Sequence, residues 1–144
     1  MTPTPRPSIT RSVHPPANTR LFEEKYLRFQ SEAGARFRAA SGGSVPNGWT
    51  TVEQAEWMAA TVGLAPGERL LDLGAGRGWP GELIARHTGA QLLSVDVPIE
   101  ALRQGRARMR EALGARVWQV CGDGRALPIG DGHFSAVCHT DVLC

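Results

Sequence analysis

Leu70 to Gly81, LLDLGAGRGWPG, decides how the chain folds: an apolar run carrying one carboxylate breaks into a glycine-rich turn that holds Pro80. Leu70, Leu71 and Leu73 suit a buried parallel strand. Pro80 suits the first turn of a helix, where its missing N–H would be unpaired anyway. Strand, glycine loop and helix together form a cradle of the nucleotide-binding type. Glycines let the backbone approach a ligand closely, and a helix start offers free N–H groups and the positive end of its dipole.

The glycines can be counted in two ways. Gly74, Gly76 and Gly78 follow Asp72 as Asp-x-Gly-x-Gly-x-Gly, whereas Gly76, Gly78 and Gly81 spell the dinucleotide pattern Gly-x-Gly-x-x-Gly. The first string starts directly after the strand; the second starts two residues later and places Trp79 and Pro80 between its last glycines. Asp72 also favours the first, because a carboxylate beside the loop repels a pyrophosphate and welcomes an ammonium group. In this form the stretch resembles motif I of the Rossmann-like, class I S-adenosylmethionine-dependent methyltransferases.

Downstream, Pro80 to His87 predicts a short helix ending at Gly89, and Gln91 to Asp96, QLLSVD, a second buried strand finishing on a carboxylate. In doubly wound folds ligands lie beyond the carboxyl ends of the strands, where an acid can accept hydrogen bonds from both ribose hydroxyls. The spacing to Asp96 from Asp72 or from Gly76 suits either nucleoside cofactor. Pro98 and Ile99 open a helix to about Leu113, with Ile99, Leu102, Met109 and Leu113 expected inward and Gly114 as stop. Val117, Trp118 and Val120 predict a third strand, closing on Cys121-Gly122-Asp123-Gly124 and then Arg125-Ala126-Leu127-Pro128. Alone, Asp123 reads equally as an Asx turn between glycines. With Asp72 and Asp96 it makes three carboxylates at the ends of successive apolar strands. That segment resembles the methyltransferase turn whose Asp contacts the adenine amino group, a pairing that suits an acceptor-only side chain. The resemblance therefore implies S-adenosylmethionine as cofactor, with Asp72 towards the methionine ammonium end, Gly74, Gly76 and Gly78 giving close approach, Asp96 on the ribose and Asp123 on the adenine. It implies no particular catalytic residue.

Upstream, Thr50 and Thr51, with Glu53 and Gln54 three positions on, offer a capping box. A helix from about Val52 to Val62 follows, its face formed by Val52, Ala55, Met58, Ala59 and Val62, with Gly63 closing it. Phe22, Tyr26, Phe29, Ala33 and Phe37 stand at helical spacing before Ser41-Gly42-Gly43. This aromatic face reads first as a packing stripe. In the family that the chain resembles, such helices often cover cofactor and substrate, which makes Tyr26 a candidate pocket residue. Met1 to Arg20 carries five prolines, three arginines and no acid, and is expected to be a disordered tail.

Composition bounds the rest. The chain has 144 residues, 42% of them hydrophobic, and a formal charge of +2, as suits one ordinary globular domain. No run approaches the ~20 apolar residues of a membrane span and no signal-peptide core is visible, so a cytoplasmic location is the default expectation. Cys121, Cys138 and Cys144 form neither a disulfide framework nor a metal-ligand pattern and read as reduced thiols. Lys25 is the sole lysine among 16 basic residues, and Arg103, Arg106, Arg108 and Arg110 crowd one predicted helix. No aromatic interleaving accompanies them, so they read as a solvated face, with no nucleic-acid partner expected.

Phe134 to Thr140 predicts a fourth strand, leading into Asp141-Val142-Leu143-Cys144. His139 and Asp141, with Cys138 nearby, lack the partners and spacing of a metal site, and no metal is expected. The expected fold is α/β: a Rossmann-like three-layer sandwich with an incomplete, mostly parallel sheet of about four strands and extra N-terminal helices. Its division is a tail over 1–20, a helical segment over 21–63 and the cofactor-binding half of a methyltransferase core over 64–144. Strands normally present after the fourth have no counterpart here, which suggests truncation, a split enzyme or a remnant completed by its own helices. An exposed fourth-strand edge would then want a partner chain or a second copy. Three functions compete: a methyltransferase acting on a small-molecule acceptor; a nicotinamide-dependent oxidoreductase fragment using Gly76, Gly78 and Gly81, tolerant of Asp72 to Asn; and a non-enzymatic cofactor-binding or interaction module.

Overall fold

The computed structural model describes residues 20–21, 23–24, 27, 31–32, 35–36 and 49–142. Phe22, Tyr26, Phe29, Phe37 and the tail before Arg20 lie outside them. Over residues 49–142 the elements are, in order, helix α1 (Val52–Thr61), strand β1 (Arg69–Leu73), helix α2 (Gly81–Thr88), strand β2 (Gln91–Asp96), helix α3 (Ile99–Leu113), a single 3₁₀ turn (Gly114–Arg116), strand β3 (Val117–Cys121) and strand β4 (Ala136–His139). The fourth strand is thus shorter than the apolar run suggests, although the Ser135 N–H just before it still donates to the Arg69 carbonyl of β1 at 2.9 Å. No helix among the described residues is long and apolar enough to cross a membrane.

Local chemistry sets the helix limits. Thr51 caps α1: its hydroxyl accepts from the Gln54 N–H at 3.2 Å while the Gln54 side chain accepts from the Thr51 N–H at 2.8 Å, so the box forms with Gln54. Gly89 stops α2 in the left-handed region at φ 76°. At α3 Pro98 offers no side-chain cap, and the Glu23 carboxylate instead accepts from the Ile99 N–H at 3.2 Å. A carboxylate there also complements the helix dipole.

The sheet is wholly parallel in the order β3-β2-β1-β4. Leu70, Leu92 and Val117 stand at matching register on one face and pack with Ala55 and Ala59 of α1, Leu83, Ile84 and Ala85 of α2, and Met109 and Leu113 of α3. Of the layers expected, the sheet and this helical layer lie within the described residues. Leu71, Leu93, Trp118 and Val137 share the opposite face; Leu71 is buried, while Trp118 and Val137 on the edge strands are half-exposed. Two residues expected inward differ: Ile99 and Val52 begin their helices at the rim of the core and are exposed.

β1 is central and its two neighbours arrive by different routes: the chain runs β1 to β2 to β3 on one side, then returns to place β4 on the other. The crevice above β1 and β4 is therefore a topological switch point, where open α/β sheets bind their ligands.

Candidate cofactor site

A cavity of about 620 Å³ lies at the carboxyl ends of all four strands. β1 supplies Leu73 and Gly74, β2 supplies Val95 to Pro98, the turn after β3 supplies Gly122 to Arg125, and the end of β4 supplies His139, Asp141 and Val142. The fold thus brings Gly74, Asp96 and Asp123 to one cavity. Asp72, Gly76 and Gly78 support it from outside the lining.

The loop after β1 is held by its own amides. Gly74 and Ala75 N–H groups donate to the Val95 carbonyl at 2.8 and 3.2 Å, Gly78 N–H to the Ala75 carbonyl at 2.7 Å, and Gly76 N–H to Asp96 Oδ2 at 2.6 Å. Gly76 and Gly78 have φ of 53° and 100°, a region where a Cβ is strained. α3 clamps the loop from behind. A Cβ on Gly78 would overlap the Met109 thioether, and one on Gly105 would overlap the Arg77 carbonyl. Arg108 donates to that same carbonyl at 2.6 Å and pairs with the buried Glu82 of α2. Among the four arginines of α3, Arg103, Arg106 and Arg110 are exposed, whereas Arg108 turns inward. Burial, and then the charge of Arg77, lower its pKa. Helical spacing did not reveal this, because it does not say what packs behind a helix.

Asp96 is partly buried with one amide on each oxygen, since Val97 N–H donates to Oδ1 at 2.7 Å. Each oxygen keeps a lone pair for a ligand hydroxyl. Burial raises its pKa, opposed by the Gly76 and Val97 bonds. Asp123 makes the Asx turn, its Oδ1 accepting from the Arg125 N–H at 2.9 Å, and also lines the cavity. The Arg125 guanidinium grips the same carboxylate at 2.6 to 3.0 Å and draws its pKa down to about 2.

Asp72 is fully buried beneath the loop. The Cys138 thiol, at matching register on β4, donates to its Oδ1 at 3.4 Å. Oδ2 faces Gly81, which opens α2 with no room for a Cβ; the Gly81 amide favours the ionised carboxylate without closing a well-formed hydrogen bond. Burial, reinforced by the charge of Asp96, pushes Asp72 up to about 7 despite the thiol bond. Burial and the neighbouring Asp72 drive the Cys138 thiol far up, so it remains a proton donor. Among the described residues no three His, Cys, Asp or Glu side chains converge as a metal site.

The wholly parallel sheet, its switch-point crevice and the carboxylates at the strand ends define a Rossmann-like α/β protein. Residues 70–144 match the methyltransferase domain family, and the chain belongs to that family. It is 32% identical over 90 residues to 24-methylenesterol C-methyltransferase 2 of Oryza sativa subsp. japonica, covering 62% of this chain and 25% of that protein. It is 39% identical over 74 residues to demethylmenaquinone methyltransferase of Corynebacterium urealyticum, covering 51% and 29%. The fold matches Haemonchus contortus phosphoethanolamine N-methyltransferase 2 in complex with S-adenosyl-L-methionine at a TM-score of 0.67 and 22% identity, over 82% of this chain and 28% of that one. The chain spans about a quarter of the length of the rice relative.

Proposed function

We propose that this chain is the cofactor-binding part of an S-adenosylmethionine-dependent methyltransferase acting on a small-molecule acceptor. The observation that carries the reading is the placement of Asp96 and Asp123 at successive strand ends of one cavity, with the Asp96 carboxylate tied to the glycine loop. Asp96 would take the ribose hydroxyls and Asp123 the adenine amino group. The cofactor, when bound, supplies a methyl group already activated by a sulfonium. The chain's own residues then bind, align the acceptor and exclude water. Asp72, beneath the loop and outside the lining, contributes through the electrostatics of the cavity floor and the position of Gly74.

The nicotinamide reading has less support. The amides of Gly74, Ala75, Gly76 and Gly78 are occupied within the protein and unavailable to a pyrophosphate. Gly81 packs on Asp72 away from the cavity.

A calorimetric titration of the 144-residue chain with S-adenosylmethionine, with NAD as competitor, tests this. Saturable binding that NAD does not displace, weakened at least about tenfold by Asp96→Ala, is expected for two lost charge-assisted hydrogen bonds. Unchanged affinity in Asp96→Ala removes Asp96 from the site, and preferential binding of NAD reverses the assignment.

A further inference from the structure

We propose that a second groove beside the end of β4 is the acceptor subsite and that it takes an acceptor carrying a cationic nitrogen. This rests on reading the larger cavity as the cofactor's. The sheet order then fixes direction: Asp123 follows β3, Asp96 ends β2, Gly74 follows β1 and Asp141 follows β4. With adenine at Asp123 and ribose at Asp96, the reactive end lies over β1 and β4. There a groove of about 460 Å³, lined by Trp49, Gln54, Trp57, Met58 and Asp141 among others, abuts the cavity, and Asp141 lines both.

Asp141 is a built feature. It has φ 60°, the one residue other than glycine with positive φ among those described. Such strain persists only where surrounding contacts hold it. Its Oδ2 accepts from the Trp49 N–H at 2.8 Å, the Thr50 N–H at 3.3 Å and the Thr50 hydroxyl at 3.4 Å, tying the segment before α1 to the end of β4. Oδ1 takes none of these bonds.

The lining selects charge. Among the described residues Asp141 is the charged side chain on the groove and Trp57, also on its lining, is 67% exposed; α1 carries Glu53 and Glu56 outside the lining and no basic residue. A carboxylate with aromatic rings is the chemistry that recognises an ammonium group. Among the described residues an anionic acceptor would meet no counter-cation beside Asp141, and a purely apolar one would desolvate its carboxylate without compensation. On transfer, the acceptor nitrogen first gives its proton to water. Its lone pair then takes the methyl group as the carbon–sulfur bond breaks, and the positive charge ends on nitrogen beside Asp141.

Saturation-transfer NMR on the methyl protons of tetramethylammonium, against tert-butanol as the neutral counterpart and acetate as the anionic one at constant ionic strength, tests the subsite. The ammonium should bind about fivefold tighter than the alcohol, the measure of a cation–π contact at a partly exposed site. Trp57→Leu, outside the cofactor cavity, should abolish that preference while binding S-adenosylmethionine as before; Asp141→Asn should reduce it. Equal affinity for tert-butanol, or a preference that survives Trp57→Leu, overturns the proposal. Selective ammonium binding by a chain that does not bind S-adenosylmethionine would instead sink the cofactor reading and leave the cation site standing.

Discussion

Replacing Asp72 by Asn isolates the cost of a buried carboxylate under the loop. In the folded chain its pKa is about 7 against an ordinary 3.8, a rise of about 3 units. At 1.36 kcal/mol per unit this is about 4 kcal/mol. The sign follows from where the proton resides. Below about pH 4 the carboxyl is protonated in both folded and unfolded chains and carries no penalty. From about pH 4 to 7 the unfolded chain loses the proton while the folded one keeps it, so stability falls as pH rises; above about 7 the loss is complete. Asn is neutral throughout and keeps the side-chain shape. Urea unfolding of both proteins, followed by circular dichroism from about pH 4 to 8, should therefore show Asp72→Asn gaining up to about 4 kcal/mol on the native sequence as pH rises. Taking the difference cancels the titrating groups that do not interact with Asp72. A difference that stays constant with pH would refute the reasoning, because Asp72 would then ionise alike in both states.

Arg108→Ala should lower stability by about 2 kcal/mol in denaturant unfolding, below the range of a fully buried pair because the arginine is 39% exposed while Glu82 is 8% exposed. Arg108→Lys, which restores charge without the fork, should recover only part of the loss; full recovery would mean that the bond to Arg77 does not matter. Thr51→Ala should cost about 1 kcal/mol through the capping box of α1, and an unchanged midpoint would show the box to be idle. Gly78→Ala adds a Cβ at φ 100° into Met109 and should destabilise by about 2 to 4 kcal/mol; a melting temperature equal to the parent's would refute the clamp of α3 on the loop.

Much of the fold was legible in the sequence because its signals are local. Thr51 with Gln54 fixes a helix start through bonds three residues apart, and Gly89 fixes a stop through one dihedral angle. The glycines after Asp72 likewise announce a turn needing positive φ, and QLLSVD places a carboxylate at a strand end, where Asp96 lies. Other features required the assembled sheet. Asp72 and Asp96 look alike in sequence as acids beside apolar runs, yet one lies under the loop and the other lines the cavity, according to strand length and pleat. Arg108 looks like its exposed neighbours until α2 and the loop arrive behind it.

The sequence by itself determined the parallel strands, the glycine turn, the caps and the carboxylates at strand ends, since each depends on dihedral preference or periodicity over a few residues. Only the tertiary structure decided that β4 lies beside β1, and therefore that Asp141 meets Trp49 and Thr50 from the far end of the chain and joins the two cavities. The physical reason is range: strand order is set by how buried faces share one core, and no short window of residues carries that information.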